Sequence, residues 1–243
     1  MVRRPRARSG ARHEVLRAGI LTAAADLFRA RGYRATTLDE IARKVGVSKP
    51  TLYGYFRSKE ELLAAIFHRT MSMFERDLLH IRSGGDDPAT QLRQLIRFHV
   101  GAVIAERSFL AVFFGEEANL PPTLGRAIRR RKARYDRMVR GIVDAGRRQG
   151  SIRTDDSRLL VFALLGMANW VYQWYDPKGA WDADTIAGKF IALLEPGYLV
   201  TERGTQREAA ATLQRIEKAL AELRPLVNGA KRGPGRRARS VSR

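Results

Sequence analysis

The sequence predicts an all-α protein, in which a small N-terminal three-helix unit precedes a larger helical region. Three observations support this prediction. Apolar residues recur at helical spacing along most of the 243 residues, and no convincing apolar–polar alternation indicates a strand. Helix-capping residues precede several of the periodic segments, and glycine or proline follows them. The apolar content of 44% is ordinary for a globular chain, so these helices can share a buried core.

The N-terminal helices are the most sharply delimited. The first is predicted over residues 13–30 and ends at Gly32, which suits a helix C-cap. Thr37, with Glu40 three residues later, forms the capping-box pattern that opens the second helix. Ser48 is the predicted N-cap of a third, short helix whose first turn accepts a proline. Further helices are predicted from Ser58 onward and near 89–106, 108–117, 122–149, 156–175, 182–200 and 205–224.

The charge of the chain restricts its partners. There are 45 basic and 25 acidic residues, and the net charge of +20 favours a polyanion such as nucleic acid, with an anionic membrane surface as the competing interpretation. The excess lies at the two ends: residues 1–70 hold 15 basic and 6 acidic residues, and residues 228–243 hold 6 and none. The longest apolar run, 159–175, is interrupted by Asn169 and Gln173, so we expect a buried helix and not a membrane span.

Two short helices joined by a glycine turn are typical of a helix-turn-helix. The apolar residues that can form its small core are Leu38, Ile41, Ala42, Val45, Val47, Leu52 and Phe56. The polar face of the second short helix suits a major groove, because Lys49 can donate to guanine while Pro50 and Thr51 pack on a thymine methyl. Hydroxyls and free N–H groups nearby can bind phosphates. The predicted DNA-binding residues are Thr37, Ser48, Lys49, Pro50, Thr51, Tyr53, Tyr55 and Lys59.

The stretch GYRATTLDEIARKVGVSKPTLYGYFRSKEELLAAIF, residues 32–67, resembles the DNA-binding domain of TetR-type transcriptional regulators. This resemblance implies an all-helical homodimer whose two DNA-binding units read a palindromic operator. It also implies a larger C-terminal part that dimerises and holds an effector. The expected organisation is a basic disordered arm (1–12), a helix-turn-helix DNA-binding domain (13–70), a helical effector-binding and dimerisation domain (71–227) and a basic disordered tail (228–243).

A second resemblance concerns the C-terminal half. The stretch GMANWVYQWYDPKGAWDADTIAGKFIALLEPGYL, residues 166–199, is similar to a TetR subgroup that includes repressors of fatty-acid and sterol catabolism. This similarity implies a repressor that a hydrophobic effector, an acyl-CoA thioester, releases from its operator. The alternative is a TetR-type regulator of a multidrug efflux operon, or of another catabolic operon, that responds to a different apolar small molecule.

The candidate effector residues lie on two predicted helices. The helix near 156–175 is apolar almost all round, which indicates that it is covered on two sides. Its two amides, Asn169 and Gln173, either cross-link helices or contact a ligand, because a buried amide without partners costs about 1–3 kcal/mol. The competing interpretation of the aromatic candidates is ordinary core or interface packing. The predicted ligand-binding residues are Phe113, Phe114, Phe162, Asn169, Trp170, Gln173 and Trp174.

The sequence contains no pattern typical of catalysis or metal binding. It has no cysteine, no P-loop, no H-E-x-x-H and no G-x-S-x-G, and its four histidines lack metal-ligand spacing. We therefore predict no enzyme activity, no metal and no cofactor. A basic architectural or membrane-associated protein is a further alternative, but we expect a cytoplasmic protein associated with the nucleoid through double-stranded DNA. The basic run 129–140 is expected to be a solvated helix face, and contact with the phosphates of a CoA moiety is its more specific alternative.

Overall fold

Nine α-helices and one 3-10 helix follow one another within residues 6–200 of this computed structural model, which describes residues 6–200 and 212–218. The helices are α1 (Arg6–Arg31), α2 (Leu38–Val45), α3 (Lys49–Tyr55), α4 (Lys59–Ser83), α5 (Pro88–Ala105), α6 (Arg107–Gly115), the 3-10 helix η1 (Glu117–Asn119), α7 (Pro122–Gln149), α8 (Ser157–Trp174) and α9 (Ala183–Tyr198). In the same residues, extended backbone pairs at an isolated antiparallel bridge between Ile152 and Leu199. The predicted all-α fold is confirmed.

The first helix is longer than predicted. α1 begins at Arg6, so residues 6–12, which were expected to be part of a disordered arm, continue the helix. Arginine and alanine are strong helix formers, and they extend a helix cheaply once its packed turns have nucleated it. The five helices from α5 to α9 differ from their predicted bounds by at most two residues.

The C-terminal end of the chain is described in part. Residues 212–218 are helical and exposed, and they belong to a separate unit that begins at Val200. The remainder of the helix predicted over 205–224 and the whole of the predicted tail 228–243 lie outside the described residues.

The ends of α2 and α3 fix the turn between them. Thr37 is the N-cap of α2 and forms a complete capping box with Glu40. Gly46 ends α2 with a φ of 79°, a left-handed backbone that only glycine adopts without strain, and the next helix cap, Ser48, follows two residues later. Ser48 then caps α3 by accepting a hydrogen bond from the Thr51 N–H. The predicted caps are therefore confirmed.

The N-terminal helices share one small apolar core. α1 packs on α2, α4 and α6, and its buried face includes Ile20 and Phe28. The predicted core of the two short helices is present, with its buried members being Ile41, Ala42, Leu52 and Phe56. The half-buried members at its edge are Leu38, Val45 and Val47. The same cluster of buried residues continues along α4 into the C-terminal helices.

Helix α5 lies at the centre of the C-terminal helices. It packs on α4, α6, α7, α8 and α9, and the long helix α7 packs on α4 and α8. In the single chain, α8 is covered on one side. Its buried residues include Val161, Leu164, Leu165, Ala168 and Val171, and its exposed large apolar residues are Leu159, Phe162, Trp170 and Trp174.

Among the described residues, no single helix is both long and apolar enough to cross a bilayer. α5 and α6 meet the length and composition required only as a pair, and that pair is bent by 98°.

Candidate nucleic-acid interface and internal cavity

The first candidate site is the outer face of α3. Its exposed residues are Ser48, Lys49, Pro50, Thr51 and Tyr53. Leu52 anchors the opposite side of this seven-residue helix in the core. The outer face therefore presents an ammonium, a hydroxyl and a phenol ring, which are groups that contact base edges and phosphate oxygens in a major groove.

Lys49 is oriented by a neighbour on α2. Its Nζ donates to the Asp39 carboxylate at 3.0 Å, and it lies 6.0 Å from the centre of the Tyr53 ring. The hydrogen bond to Asp39 raises the pKa of Lys49, so this side chain is a permanent cation at neutral pH. Both partners are exposed, and an exposed ion pair is weak enough in water to open for a stronger anionic partner.

The predicted hydroxyl groups belong to the helix caps. Ser48 Oγ accepts from the Thr51 N–H at 3.3 Å and lies 2.8 Å from the Thr51 hydroxyl. The Thr37 N–H donates to the Glu40 carboxylate at 2.8 Å, and this hydrogen bond lowers the pKa of Glu40. The two caps hold the starts of α2 and α3, and both hydroxyls remain near the surface.

Tyr55 and Lys59 are less accessible than the rest of the predicted set. Tyr55 is half-buried, and its ring stacks on His13 with the ring centres 4.4 Å apart. Lys59 Nζ donates to the carbonyl oxygens of Tyr33 and Arg34 at 2.9 and 3.1 Å. An ammonium has three N–H donors, so Lys59 ties α4 to the loop after α1 and keeps one donor for another acceptor.

The second candidate site is a cavity of about 150 Å³ among α4, α5, α6, α7 and α8. The apolar part of its wall consists of Met71, Phe74, Phe113, Phe114 and Leu165. Mostly apolar walls with a few polar groups are typical of small-molecule sites.

Three polar residues of the wall, His99, Tyr135 and Asn169, have buried polar atoms. His99 Nδ1 donates to the Leu95 carbonyl at 3.2 Å, which leaves Nε2 to accept from the Tyr135 hydroxyl at 3.4 Å. Asn169 Oδ1 is buried and has no hydrogen-bond partner among the described residues. An unpaired buried acceptor costs about 1–3 kcal/mol, so the cavity wall offers an amide oxygen that a ligand donor would satisfy.

Burial sets the protonation state of the cavity wall. It lowers the pKa of His99 to about 4 and raises the pKa of Tyr135 well above its usual range. Burial also raises the pKa of Asp136, against the opposing effect of Arg158 and Lys132. At neutral pH His99 and Tyr135 are therefore uncharged, and the ionisable groups that remain at the wall are Lys132 and Asp136.

Lys132 connects the cavity to the segment after α6. Its Nζ lies 4.4 Å from the centre of the Phe113 ring and donates to the carboxylate of Glu117 in η1. Arg129, one turn earlier on α7, lies 3.7 Å from the same carboxylate. Lys132 therefore joins the edge of the cavity to η1, because its ammonium contacts both the Phe113 ring and the Glu117 carboxylate.

Two parts of the chain match known families. Residues 20–66 match the family described as "Bacterial regulatory proteins, tetR family", and residues 85–197 match the one described as "Tetracyclin repressor-like, C-terminal domain". The chain belongs to the TetR family. The first match contains the helix-turn-helix, and the second contains most of the helices that enclose the cavity.

Individual relatives of this TetR chain are transcriptional regulators. The "HTH-type transcriptional repressor KstR2" of Rhodococcus jostii (strain RHA1) is 29% identical over 74% of this chain and 90% of the relative. AibR, solved "in complex with isovaleryl coenzyme A and operator DNA", is 30% identical with a TM-score of 0.67, over 73% of this chain and 97% of AibR. The ketosteroid regulator KstR2 of Mycobacterium tuberculosis, with a TM-score of 0.71 at 24% identity over 76% of this chain and 95% of that chain, shows the shared fold. This TetR chain is a ligand-responsive, DNA-binding transcriptional regulator.

The structure divides the residues predicted to bind an effector. Phe113, Phe114 and Asn169 line the cavity of the TetR chain. The predicted residues that do not line it are Phe162, Trp170, Gln173 and Trp174. At 100° per residue, Trp170 and Trp174 lie 140° to 180° around α8 from the cavity residue Leu165, on the exposed side.

The other two residues, Phe162 and Gln173, lie at different places on α8. Phe162 lines a neighbouring groove between α7 and α8. Gln173, in the last turn of α8, is exposed and donates to the Tyr172 hydroxyl at 3.1 Å.

Several cavity residues were missed at the sequence level. They are Met71, Phe74, Lys132, Tyr135, Asp136 and Leu165. His99, which the sequence favoured as a core histidine over an effector contact, is buried and also lines the cavity. The apolar members have the spacing of any core helix, so no local signal separates them from ordinary core residues. Tyr135 within the charged run of α7 was a usable signal, because a lone aromatic among basic residues marks the side of the helix that turns inward.

Proposed function

We propose that this chain is a homodimeric TetR-type repressor that binds a palindromic operator and is released by an acyl-CoA thioester. The observation that carries the effector part is the aromatic cavity with the unpaired Asn169 amide oxygen in its wall. The names of two relatives agree with it, because KstR2 is called a repressor and AibR was solved with isovaleryl coenzyme A and operator DNA.

The cavity suits an acyl thioester better than a polar metabolite. Its apolar wall excludes water from a hydrocarbon chain, and burying such a chain contributes about 0.8 kcal/mol per CH₂. The unpaired Asn169 oxygen can accept a hydrogen bond from an amide N–H of the pantetheine arm that follows the thioester, and the uncharged Tyr135 brings no opposing charge. A free fatty acid would bring a carboxylate beside Asp136, and the cation at the wall, Lys132, is already paired with Glu117, so the acid costs more to bury than a neutral thioester.

DNA binding is assigned to α1–α3 and the start of α4. In this proposal Lys49, Pro50 and Thr51 contact base edges, and Thr37, Ser48, Tyr53, Tyr55 and Lys59 contact phosphates. The boundary with the effector domain falls near residue 70, within α4 (Lys59–Ser83), so one continuous helix belongs to both parts. A rigid helix shared in this way is suited to transmit a displacement.

Dimer formation is assigned to α8 and α9. The exposed apolar side chains on these two helices include Leu159, Trp170, Trp174 and Leu193. Leu159, Trp170 and Leu193 are 67%, 60% and 69% exposed in the single chain. Apolar groups of this size on adjacent helices favour a self-complementary interface in a two-fold dimer.

A chain of contacts offers a route from the cavity to the DNA-binding helices. Lys132 holds Glu117, and the adjacent Glu116 accepts a hydrogen bond from the Tyr33 N–H at 3.3 Å. Tyr33 is tied in turn to the start of α4 by Lys59. An effector that displaces Lys132 would shift η1 relative to the loop after α1, and it would act only through its different affinity for the two arrangements.

The test is a titration of the protein–operator complex. The operator is first located by footprinting on the promoter region of the chain's own gene, with shuffled DNA at the same salt concentration as the control. The complex is then titrated with isovaleryl-CoA, palmitoyl-CoA, the two free acids and CoA alone, and operator release is followed by fluorescence anisotropy.

We expect release by at least one acyl-CoA and not by CoA or the free acids. The variant Asn169→Leu should bind the operator as the wild type does and should need more acyl-CoA for release. Indifference to all five compounds would reject the acyl-CoA effector while leaving operator binding intact, and no protected palindrome would reject the repressor.

A further inference from the structure

We infer that a groove between α7 and α8, lined by Arg137, Arg140 and Arg158, binds the phosphate groups of the coenzyme A moiety while the acyl chain occupies the adjoining cavity. This inference rests on the proposed acyl-CoA response and assigns one part of the effector to specific residues. The run 129–140 then has a role beyond that of a solvated helix face.

The groove is a basic site of suitable size. It has a volume of about 240 Å³, and its lining includes three arginines and one carboxylate, that of Asp136. Arg137 and Arg158 are exposed, and neither forms an ion pair with a carboxylate in the described part of the chain. Arg140 lies 3.9 Å from Asp144, which is a loose contact. The groove therefore keeps positive charge for an anionic ligand.

Other basic residues of the same helix are already paired. Arg131 forms two hydrogen bonds with Glu75, at 3.0 and 2.7 Å, and Lys132 is bound to Glu117. These side chains fasten α7 to α4 and η1. Arg131 and Lys132 therefore serve to hold helices together, whereas Arg137 and Arg140 face the groove.

The groove and the cavity adjoin along the same two helices. Asp136 lines both of them. On α8, Leu165 lines the cavity, and Val161, one turn earlier, lines the groove. A ligand with an apolar end in the cavity can therefore extend past Asp136 and place its polar end beside the arginines.

The chemistry of the groove fits the nucleotide end of coenzyme A. Guanidinium groups bind phosphate through two parallel N–H donors, which gives both strength and orientation. The Phe162 ring is 46% exposed and lies 5.2 Å from the Arg158 guanidinium carbon. An exposed aromatic ring next to a guanidinium is a surface on which an adenine base can stack.

The test compares two ligands that share the acyl group. Isovaleryl-CoA and palmitoyl-CoA carry phosphates and adenine, whereas the corresponding S-acyl pantetheine thioesters carry neither. Their affinities for the full-length protein are measured by calorimetry at fixed ionic strength. The groove variant is R137Q/R158Q, and the matched control is R126Q/R130Q, which removes two exposed arginines from α7 outside the groove lining.

We expect the wild type to bind acyl-CoA at least about 10-fold more tightly than the acyl pantetheine, as lost charge-assisted hydrogen bonds imply. R137Q/R158Q should bind acyl-CoA as weakly as acyl pantetheine, with unchanged affinity for the latter and an unchanged thermal midpoint. The control R126Q/R130Q should behave as the wild type does.

Two outcomes would overturn the inference, and they can be told apart. If R137Q/R158Q binds acyl-CoA as tightly as the wild type, the groove is not the phosphate site, although the acyl-CoA response stands. If the wild type binds neither acyl-CoA nor acyl pantetheine, and neither compound releases the operator, the proposed function fails and the groove assignment fails with it.

Discussion

The DNA-binding helices and the cavity helices are stabilised in different ways. α2 and α3 have eight and seven residues, too few for a helix to be stable alone in water. They persist because Thr37, Gly46 and Ser48 satisfy their ends and because a few large side chains anchor them to α1 and α4. The helices around the cavity are mostly longer, up to the 28 residues of α7, and their mutual packing determines where they lie.

The two regions also differ in whether their polar side chains are exposed and hydrogen-bonded. At α3 the polar side chains are exposed and paired locally, as Lys49 is with Asp39. In the cavity wall they are buried, and Asn169 keeps an unpaired acceptor. The comparison indicates that the recognition surface is preformed, whereas the cavity holds an energetic cost that a ligand can relieve.

The largest expected effect comes from removing an anchor of the DNA-binding helices. Phe56 is 1% exposed and ends α3, so Phe56→Ala should lower the free energy of unfolding by about 3–5 kcal/mol. Urea unfolding measures this loss. Leu79→Ala, at a position that is 53% exposed on α4, should change it by less than about 0.5 kcal/mol. Similar losses for both variants would contradict the anchoring role.

The next effect concerns the recognition surface. Lys49→Met should weaken operator binding by about 1–3 kcal/mol and relax specificity at the base pair it contacts. The matched control is Lys44→Met, because Lys44 is also exposed and also paired, in its case with Asp26 at 3.1 Å. The affinities of the Lys49→Met and Lys44→Met proteins for single-base operator variants are measured by fluorescence anisotropy. Equal effects of both changes would assign Lys49 a general electrostatic role only.

The buried histidine makes the cavity helices sensitive to acid. The folded-state pKa of His99 is about 4, below an unfolded value near 6.5, so the unfolded chain binds more protons between these values. Its contribution to stability is therefore complete above pH 6.5 and is lost as the pH falls toward 4. We expect a loss of about 2 kcal/mol between pH 7 and pH 5.

The control for this pH dependence is His99→Phe, which keeps an aromatic ring beside Phe74. This variant is expected to be less stable at pH 7, because the Tyr135 hydroxyl loses its acceptor. Its unfolding free energy should nevertheless fall less steeply between pH 7 and pH 5. An identical slope in both proteins would exclude His99 as the source.

The smallest effect is the loss of one helix cap. Thr37→Ala removes the side-chain acceptor for the Glu40 N–H and should cost about 1 kcal/mol of stability. Thr123→Ala, at an exposed position in the first turn of α7, should cost less than about 0.5 kcal/mol. Urea unfolding of the two variants measures the difference. A cost at Thr37 no larger than at Thr123 would show that packing alone holds α2.

The sequence by itself determined the caps and the turn of the DNA-binding helices, although not the start of α1. Capping boxes, a turn glycine and helix punctuation are local signals, because each satisfies backbone groups within four residues. They predicted the start of α2 at Thr37, the turn at Gly46 and the start of α3 at Ser48. They also predicted α5–α9 to within two residues, although α1 begins earlier than its apolar stripe because good helix formers precede it.

Tertiary structure alone decided which residues enclose the cavity. Trp170 and Asn169 are adjacent on the same helix, yet one is exposed and the other borders the cavity. A helical pattern reports that a side chain is apolar and where it lies around its own axis, but not which neighbour covers it. Cavities form where five helices fail to fill the space between them, and that depends on contacts between residues far apart in the chain.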